Sequence, residues 1–367
     1  MGIQWGVWLT SLYDYGGQSN CVIKDVTGLE GGERMHKRSL GRNGTTVSAI
    51  GIGALSFTNF YGSTNTETSH AILNKALDLG IDHVDTSNVY GGGLSEERIG
   101  SFLAKQGSHR HSLFKIATKA GITRDPDGIR PFNNSPEHLG SELDKSLQRL
   151  GVDQVELFYI HRRDPAYSIE EVTEALVGFI KSGKICQFGF SEIAPTSLEQ
   201  ASTVHSVGAV QSEYSLSTRS PEMGLVQETY KRGTSLVAFS PVGRSLLTDK
   251  PHSFEKSQTM SFLKENPRFL EPNLSRNIDA TEGFRRLAGE MGTTASSLAI
   301  AWLLHQGDHI IPIPGTRSPE HLTELAVGAS IKLSKDDLDA IDHVLPIGWA
   351  YGDRYSLAQW NGPEKYC

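Results

Sequence analysis

Cysteine is scarce in this chain. Its 367 residues include 3, Cys21, Cys186 and Cys367, scattered and without metal-ligand spacing. They suggest neither a disulfide framework nor a metal site, so a reducing, cytoplasmic setting is the default. Long apolar runs are missing too: nothing approaches the ~18 residues that a membrane helix needs. There is no positive charge excess. With 35 Lys and Arg against 42 Asp and Glu, the formal net charge is -7 and the isoelectric point about 6.0, which argues against a general nucleic-acid binder. The N-terminus lacks a basic segment followed by an apolar one, so no secretory signal is expected. Residues 1–34 carry Trp5, Trp8 and Tyr13 among glycines without periodicity. They read as an extension or as the product of an upstream start, with Met35 as an alternative first residue. Met1-Gly2 suggests myristoylation only superficially, because Gly6 stands where Ser or Thr belongs.

What is present points to a soluble globular protein: 38% hydrophobic and 21% charged residues, with a mean hydropathy of -0.31. Residues 36–50 read as a hairpin with Asn43-Gly44 at its turn. Beyond it, strand-like and helix-like segments alternate. The strand-like runs are 49–54, 81–86, 113–119, 155–161, 185–190, 209–211, 236–239 and 310–313. Helical periodicity or capping marks 68–79, 136–150, 168–182, 223–231, 294–306 and 319–326. Pro136 suits a first helical position, and Gly80, Gly151, Gly183 and Gly233 suit helix stops. Eight strands with intervening helices predict an α/β fold, a (β/α)8 TIM barrel over residues 35–367, with its site at the strand C-termini. The competing doubly wound open sheet would favour Gly-x-Gly-x-x-Gly after the first strand, where Gly51 to Ser56 supply only two glycines. Residues 244–277 lack clean periodicity and read as a large loop over the site, with scope for movement.

Three strand-like runs end on polar residues: Asp85, Lys119 and His161. Tyr90 follows Asp85 by five residues, in the loop Tyr90-Gly91-Gly92-Gly93. In a parallel barrel these four gather at one mouth. Singly, they are an ion pair, a surface phenol and a structural histidine; together, an acid, a phenol, an amine and an imidazole make a proton-transfer device. A Schiff-base lysine is a distinct possibility, but it needs Lys119 neutral and unpaired, whereas Asp85 should keep it charged.

From about residue 36 onward the chain resembles the aldo-keto reductase family. The resemblance rests on Gly51-Ile52-Gly53, Asp85-Thr86-Ser87-Asn88-Val89-Tyr90-Gly91, Ser95-Glu96-Glu97-Arg98-Ile99-Gly100 and Thr118-Lys119. It continues through Ser146-Leu147-Gln148-Arg149-Leu150-Gly151, Tyr159-Ile160-His161, Gly183-Lys184-Ile185, Gly189-Phe190-Ser191, Ser240-Pro241 and Ile313-Pro314-Gly315-Thr316. Glu213-Tyr214-Ser215-Leu216 and Gly352-Asp353-Arg354-Tyr355 are most similar to the microbial and plant aldehyde and pyridoxal reductase branch. The resemblance implies NADPH-dependent reduction of aldehydes, and of some ketones, to alcohols. Tyr90 would be the general acid, with Lys119 lowering its pKa, Asp85 holding Lys119 and His161 orienting the carbonyl.

It also implies a cofactor site. Ser191, Glu192 and Gln211 would meet the nicotinamide carboxamide, and Phe239 would stack on the ring, beside Gly53, Ala54, Leu55 and Asp85. Ser240-Pro241-Val242-Gly243-Arg244 would follow the pyrophosphate. Gly315-Thr316-Arg317, with His321 and Leu325 in the next helix, would take the adenosine end and its 2′-phosphate. Glu192 and Leu325 depart from the asparagines common at those positions. Phe57, Phe60 and Tyr61 are candidates for an aromatic substrate wall, joined by Tyr90 and His161. The tail residues Trp349, Tyr351 and Trp360 are placed to close the other side. Arg162 and Arg163 read as helix-cap or solvent-facing cations. The expected partner is a small-molecule carbonyl compound, not nucleic acid or a membrane, and homo-oligomerisation is left open. The alternative is a redox-sensing NADPH-binding subunit with slow turnover, like the channel-associated members of the family.

Overall fold

The computed structural model describes residues 35–42, 44–123 and 131–366. The extension 1–34, Cys21 and Cys367 lie outside those residues, as does Asn43 of the expected turn. Strands β1 (Lys37–Ser39) and β2 (Thr46–Ser48) pair antiparallel, Arg38 opposite Val47. The main sheet comprises β3 (Ile52–Gly53), β4 (His83–Asp85), β5 (Lys115–Ala120), β6 (Val155–Ile160) and β7 (Ile185–Ser191). It continues through β8 (Ala209–Glu213), β9 (Ser235–Phe239) and β10 (Ile310–Pro312). All eight are parallel and lie in sequence order. The amides of Gly51 and Gly53 donate to the carbonyls of Pro312 and Pro314 at 2.8 and 2.9 Å, tying the first strand to the last. The curled sheet is consistent with a (β/α)8 fold.

The helices follow their strands: α1 (Thr66–Asp78), α2 (Leu94–Ala104), α3 (Pro136–Leu150), α4 (Ile169–Lys181), α5 (Pro195–Val204) and α6 (Leu225–Arg232). After them come α7 (Phe254–Gln258), α8 (Asn273–Ala280), α9 (Glu282–Glu290), α10 (Ala295–Leu304), α11 (Pro319–Val327) and α12 (Lys335–Val344). Local chemistry explains their starts. Ser135 caps α3 by accepting from the His138 amide, with Pro136 following it, and Gly151 ends that helix in the left-handed region at φ 67°. Ser168 and Glu171 form a reciprocal capping box on α4. Among the described residues, no helix is long and apolar enough to cross a membrane.

Strand alternation divides the interior in two. One set of strand residues packs outward beneath the helices in the larger core. The other faces inward: Ala117, Leu157, Tyr159, Ala209, Val237 and Ile311 meet Leu40 and Val47 of the hairpin region. Continuing that period of two puts Lys119, His161, Gln211 and Phe239 on the inner face, at the C-terminal end of each strand. Gly189 keeps this layer open, because a Cβ there would lie 2.7 Å from the Tyr159 ring and 2.4 Å from the Ala209 carbonyl.

The segment expected to be a loop is more ordered than its sequence suggests. Residues 244–277 contain α7, part of α8 and single 3-10 turns. Leu246, Met260, Leu263, Phe269 and Leu274 form a small core of their own, against which Tyr61 and Trp349 pack. Short elements carry too few turns for a helical period to emerge.

Candidate active site

The four polar residues meet at the strand ends. Lys119, wholly buried, donates to Asp85 Oδ1 in a short ion pair, to the Thr86 carbonyl at 2.8 Å and to the Tyr90 hydroxyl at 3.4 Å. The other Asp85 oxygen accepts from Gln211 Nε2 at 2.8 Å. The His161 ring stands edge-on to Tyr90, centroids 5.7 Å apart, and its Nδ1 lies 3.1 Å from Ser87 Oγ. Tyr90 is placed by a backbone only glycines tolerate well: Gly91, Gly92 and Gly93 all have positive φ.

Electrostatics separates the members. Burial works against the Lys119 ammonium, but Asp85 and Tyr90 outweigh it and hold the amine above its ordinary value. A charged lysine is what the Schiff-base reading cannot use. Burial pushes the Tyr90 phenol above its usual range, and Lys119 opposes that rise without overcoming it. This corrects the expectation that Lys119 brings the phenol below its free value: here the ammonium limits the rise. Burial, then Arg162 and Lys119, hold His161 well below the usual histidine range, so its ring is neutral near pH 7.

The tetrad opens into a cavity of about 1390 Å³. That exceeds the ~300–1,000 Å³ of drug-sized sites and gives an extended dinucleotide room beside a small substrate. Gly53, Leu55, Asp85, Ser191, Gln211 and Phe239 line it near the tetrad, followed by Ser240, Pro241 and Val242. Gly315, Thr316, Arg317, His321 and Leu325 line the far end. There Arg317 reaches the Ser63 carbonyl at 3.4 Å, and Gly62 makes room for it: a Cβ would fall 2.5 Å from Arg317 Nη1. This guanidinium ahead of the α11 N-terminus is a suitable donor set for a phosphate. The backbone is strained close by. Among the described residues, the non-glycine positive-φ positions are Glu192, Ser240, Arg244 and Ser245, at or just beyond the ends of β7 and β9. The cavity, the ring of Phe239 and the Arg317 end fit a dinucleotide.

Several expected members sit elsewhere. Ala54 and Phe57 are fully buried and do not line the cavity; Phe57 belongs to the core, while Phe60 and Tyr61 do line it. Glu192 does not line it either. Its carboxylate pairs with Arg354 and accepts from the Glu213 amide at 2.8 Å. Gly243 lies behind the lining at φ 58°. Arg244 lines the cavity, but both oxygens of Glu213 hold it, at 2.9 and 2.7 Å, so its charge is already satisfied. With Arg268 and Arg354 it forms a buried group of three arginines on two glutamates. The tail reaches the cavity through Tyr355. Trp349 instead donates to the Leu216 carbonyl, Trp360 packs on Tyr355 and Arg354, and Tyr351 is exposed.

Two site residues escaped the sequence reading. Arg162, which its sequence position suggests is a cap or surface cation, lines the cavity and donates to Ser191 Oγ at 3.0 Å; Arg163 faces away and bonds the Tyr167 carbonyl at 3.1 Å. Ser87, within the motif from Asp85 to Gly91, is the partner of His161. Their signal was adjacency to tetrad members, which alternation discounts once a strand has ended.

The model of the Aldo/keto reductase family matches residues 49–346. An aldo-keto reductase of Schizosaccharomyces pombe named yakc [NADP(+)] is 35% identical over 314 residues, 83% of this chain and 92% of that protein. A probable aldo-keto reductase of Glycine max is 34% identical, covering 89% of this chain and 92% of its own. A glycerol dehydrogenase structure from Gluconobacter oxydans superposes with a TM-score of 0.72 at 25% identity, over 84% of this chain and 94% of that one.

Proposed function

This chain belongs to the aldo/keto reductase family and is an oxidoreductase, and from that premise we propose that it reduces aldehydes with NADPH, Tyr90 delivering the proton. The observation that carries the reading is the Asp85–Lys119–Tyr90 chain, which ends in a hydroxyl at the cavity wall 3.4 Å from a buried ammonium. Bound NADPH supplies the hydride. Ser191, Gln211 and Phe239 would hold its nicotinamide end and Arg317 its phosphate end, with Arg244 serving through Glu213 instead of on the pyrophosphate.

The chain's own work is proton supply and orientation. A carbonyl that gains a hydride becomes an alkoxide, and the Tyr90 O–H is the donor at hand. As that proton leaves, Lys119 stabilises the phenolate, and Asp85 keeps Lys119 charged and in place. His161, held neutral by burial, would present Nε2–H to the carbonyl oxygen if Ser87 donates to Nδ1. Three acceptors compete for the Ser87 proton: His161 Nδ1 at 3.1 Å, the Lys119 carbonyl at 3.3 Å and Asn88 Oδ1 at 3.4 Å. We assign it to the nearest. The fold is read as a closed (β/α)8 barrel with this site at its C-terminal mouth.

The test is NADPH consumption with 4-nitrobenzaldehyde. Wild-type turnover is expected; NADPH binding without turnover on a broad aldehyde panel would overturn the reading.

A further inference from the structure

Arg162 differs from Arg244 and Arg354, the arginines paired with glutamates beside this cavity. Arg244 is clamped by Glu213 and Arg354 by Glu192, whereas no carboxylate among the described residues lies within 4.0 Å of Arg162. Among the described residues, its side chain donates from Nη1 alone, to the His161 carbonyl at 2.6 Å and to Ser191 Oγ at 3.0 Å. These fix the plane of the guanidinium and leave Nη2 and Nε for another partner. The stem is fixed as well. Gly362, at φ 101°, lies over it so closely that a Cβ would stand 2.9 Å from Arg162 Cδ, 3.0 Å from Cγ and 2.6 Å from Phe132. It lines the cavity together with Tyr90, His161 and Tyr355, among the groups that would surround a reacting carbonyl.

A half-buried, immobilised guanidinium with spare planar donors beside apolar lining such as Ile122 and Phe239 matches one ligand group best. A carboxylate accepts two parallel N–H bonds from it and balances its charge. Resting on the reductase reading, we propose that Arg162 selects carbonyl substrates that carry a carboxylate, the aldehydic or ketonic acids. The carboxylate is a handle and does not react. Hydride adds to the carbonyl carbon, the C=O π pair passes to oxygen, Tyr90 supplies the proton, and the acid group leaves as it entered.

The experiment compares 4-carboxybenzaldehyde with its neutral methyl ester, as the ratio of the two kcat/KM values, in wild type, Arg162→Met and Arg162→Lys. Because Arg162 also holds Ser191, absolute rates can fall for both substrates, so the ratio is the readout. It is expected to fall by about 10- to 100-fold in Arg162→Met, through KM, with Arg162→Lys intermediate. A wild-type preference for the ester, or the same ratio in all three proteins, overturns the proposal. If neither aldehyde is consumed, the reductase reading fails, and titration calorimetry of benzoate against benzamide into the NADP+-loaded full chain decides this proposal separately. Benzoate binding weakened selectively by Arg162→Met supports it; benzoate bound no better than benzamide, or equally by both proteins, sinks it.

Discussion

Two buried charge clusters border the same cavity. Asp85 and Lys119 form one with Tyr90 and His161; Glu192 and Glu213 form the other with Arg244, Arg268 and Arg354. In the first, one acid balances one base, and the surplus hydrogen-bonding capacity ends in a phenol at the cavity wall. In the second, carboxylates and guanidiniums satisfy one another, and the cluster joins the ends of β7 and β8 to the segment after β9 and to the tail. Both are buried and both join carboxylates to cations. What marks the reactive cluster is an unfinished chain of donors. Reading chemistry from perturbed, buried ionisable groups alone would rank both clusters as sites.

Breaking each cluster should therefore cost different things. Tyr90→Phe removes one hydroxyl and is expected to lower kcat by about 10³-fold while the urea midpoint and NADPH affinity hold; stopped assays and fluorescence titration check both. A variant retaining more than a tenth of wild-type turnover would remove Tyr90 from the role of acid. Arg354→Met leaves Glu192 buried without its main cation, a loss of about 3–5 kcal/mol in urea denaturation. Its kcat at saturating substrate should fall less than tenfold. If turnover collapses while stability holds, the second cluster is not a brace, and the distinction fails.

The legible parts of the molecule are those where a strong period meets an unambiguous end. The runs ending at Asp85, Lys119 and His161 gave both their strands and their polar ends, because a parallel strand buried on both faces is apolar until it reaches the mouth. Helix α3 was equally plain, with Ser135-Pro136 before it and Gly151 after it. Helix α2 was not, because it buries Ser95, Glu96 and Arg98: Glu96 accepts from Thr118 at 2.5 Å and Arg149 at 2.7 Å, so polar residues occupy an inward face. The role of Arg244 was hidden for a related reason. A loop arginine beside an expected pyrophosphate looks like an anion donor until Glu213, distant in sequence, is found to hold it. Partners across the sheet leave no periodic trace.

A smaller effect separates the clusters by pH. His161 is buried neutral, its folded pKa depressed below the unfolded value of about 6.5. Below that pH the unfolded chain binds a proton that the folded chain refuses, so stability is intact above about 6.5 and falls as pH drops. The cost is up to about 1.4 kcal/mol per pH unit until the folded value is reached. His83, also buried and depressed mainly by burial, adds to the same slope. His161→Gln should flatten, without abolishing, the decline in urea stability between pH 6.5 and 5. An unchanged slope would mean that His161 takes up its proton while folded.

The least costly change probes how the reactive cluster is left unfinished. If Ser87 donates to His161 Nδ1, the imidazole carries its proton on Nε2 and can donate to a carbonyl. If Ser87 instead spends its proton on the Lys119 carbonyl, Nδ1 is the donor and Nε2 can only accept, which suits no carbonyl oxygen. Ser87→Ala removes the choice. Under the first assignment it frees the tautomer, lowers kcat/KM about fivefold, corresponding to about 1 kcal/mol, and moves the His161 imidazole ¹⁵N shifts toward a mixture. Under the second, Ser87 only accepts from the ring, and its loss relaxes the ring toward the Nε2–H form, so activity would hold or rise. The sign of that small change decides which nitrogen of the imidazole carries the proton.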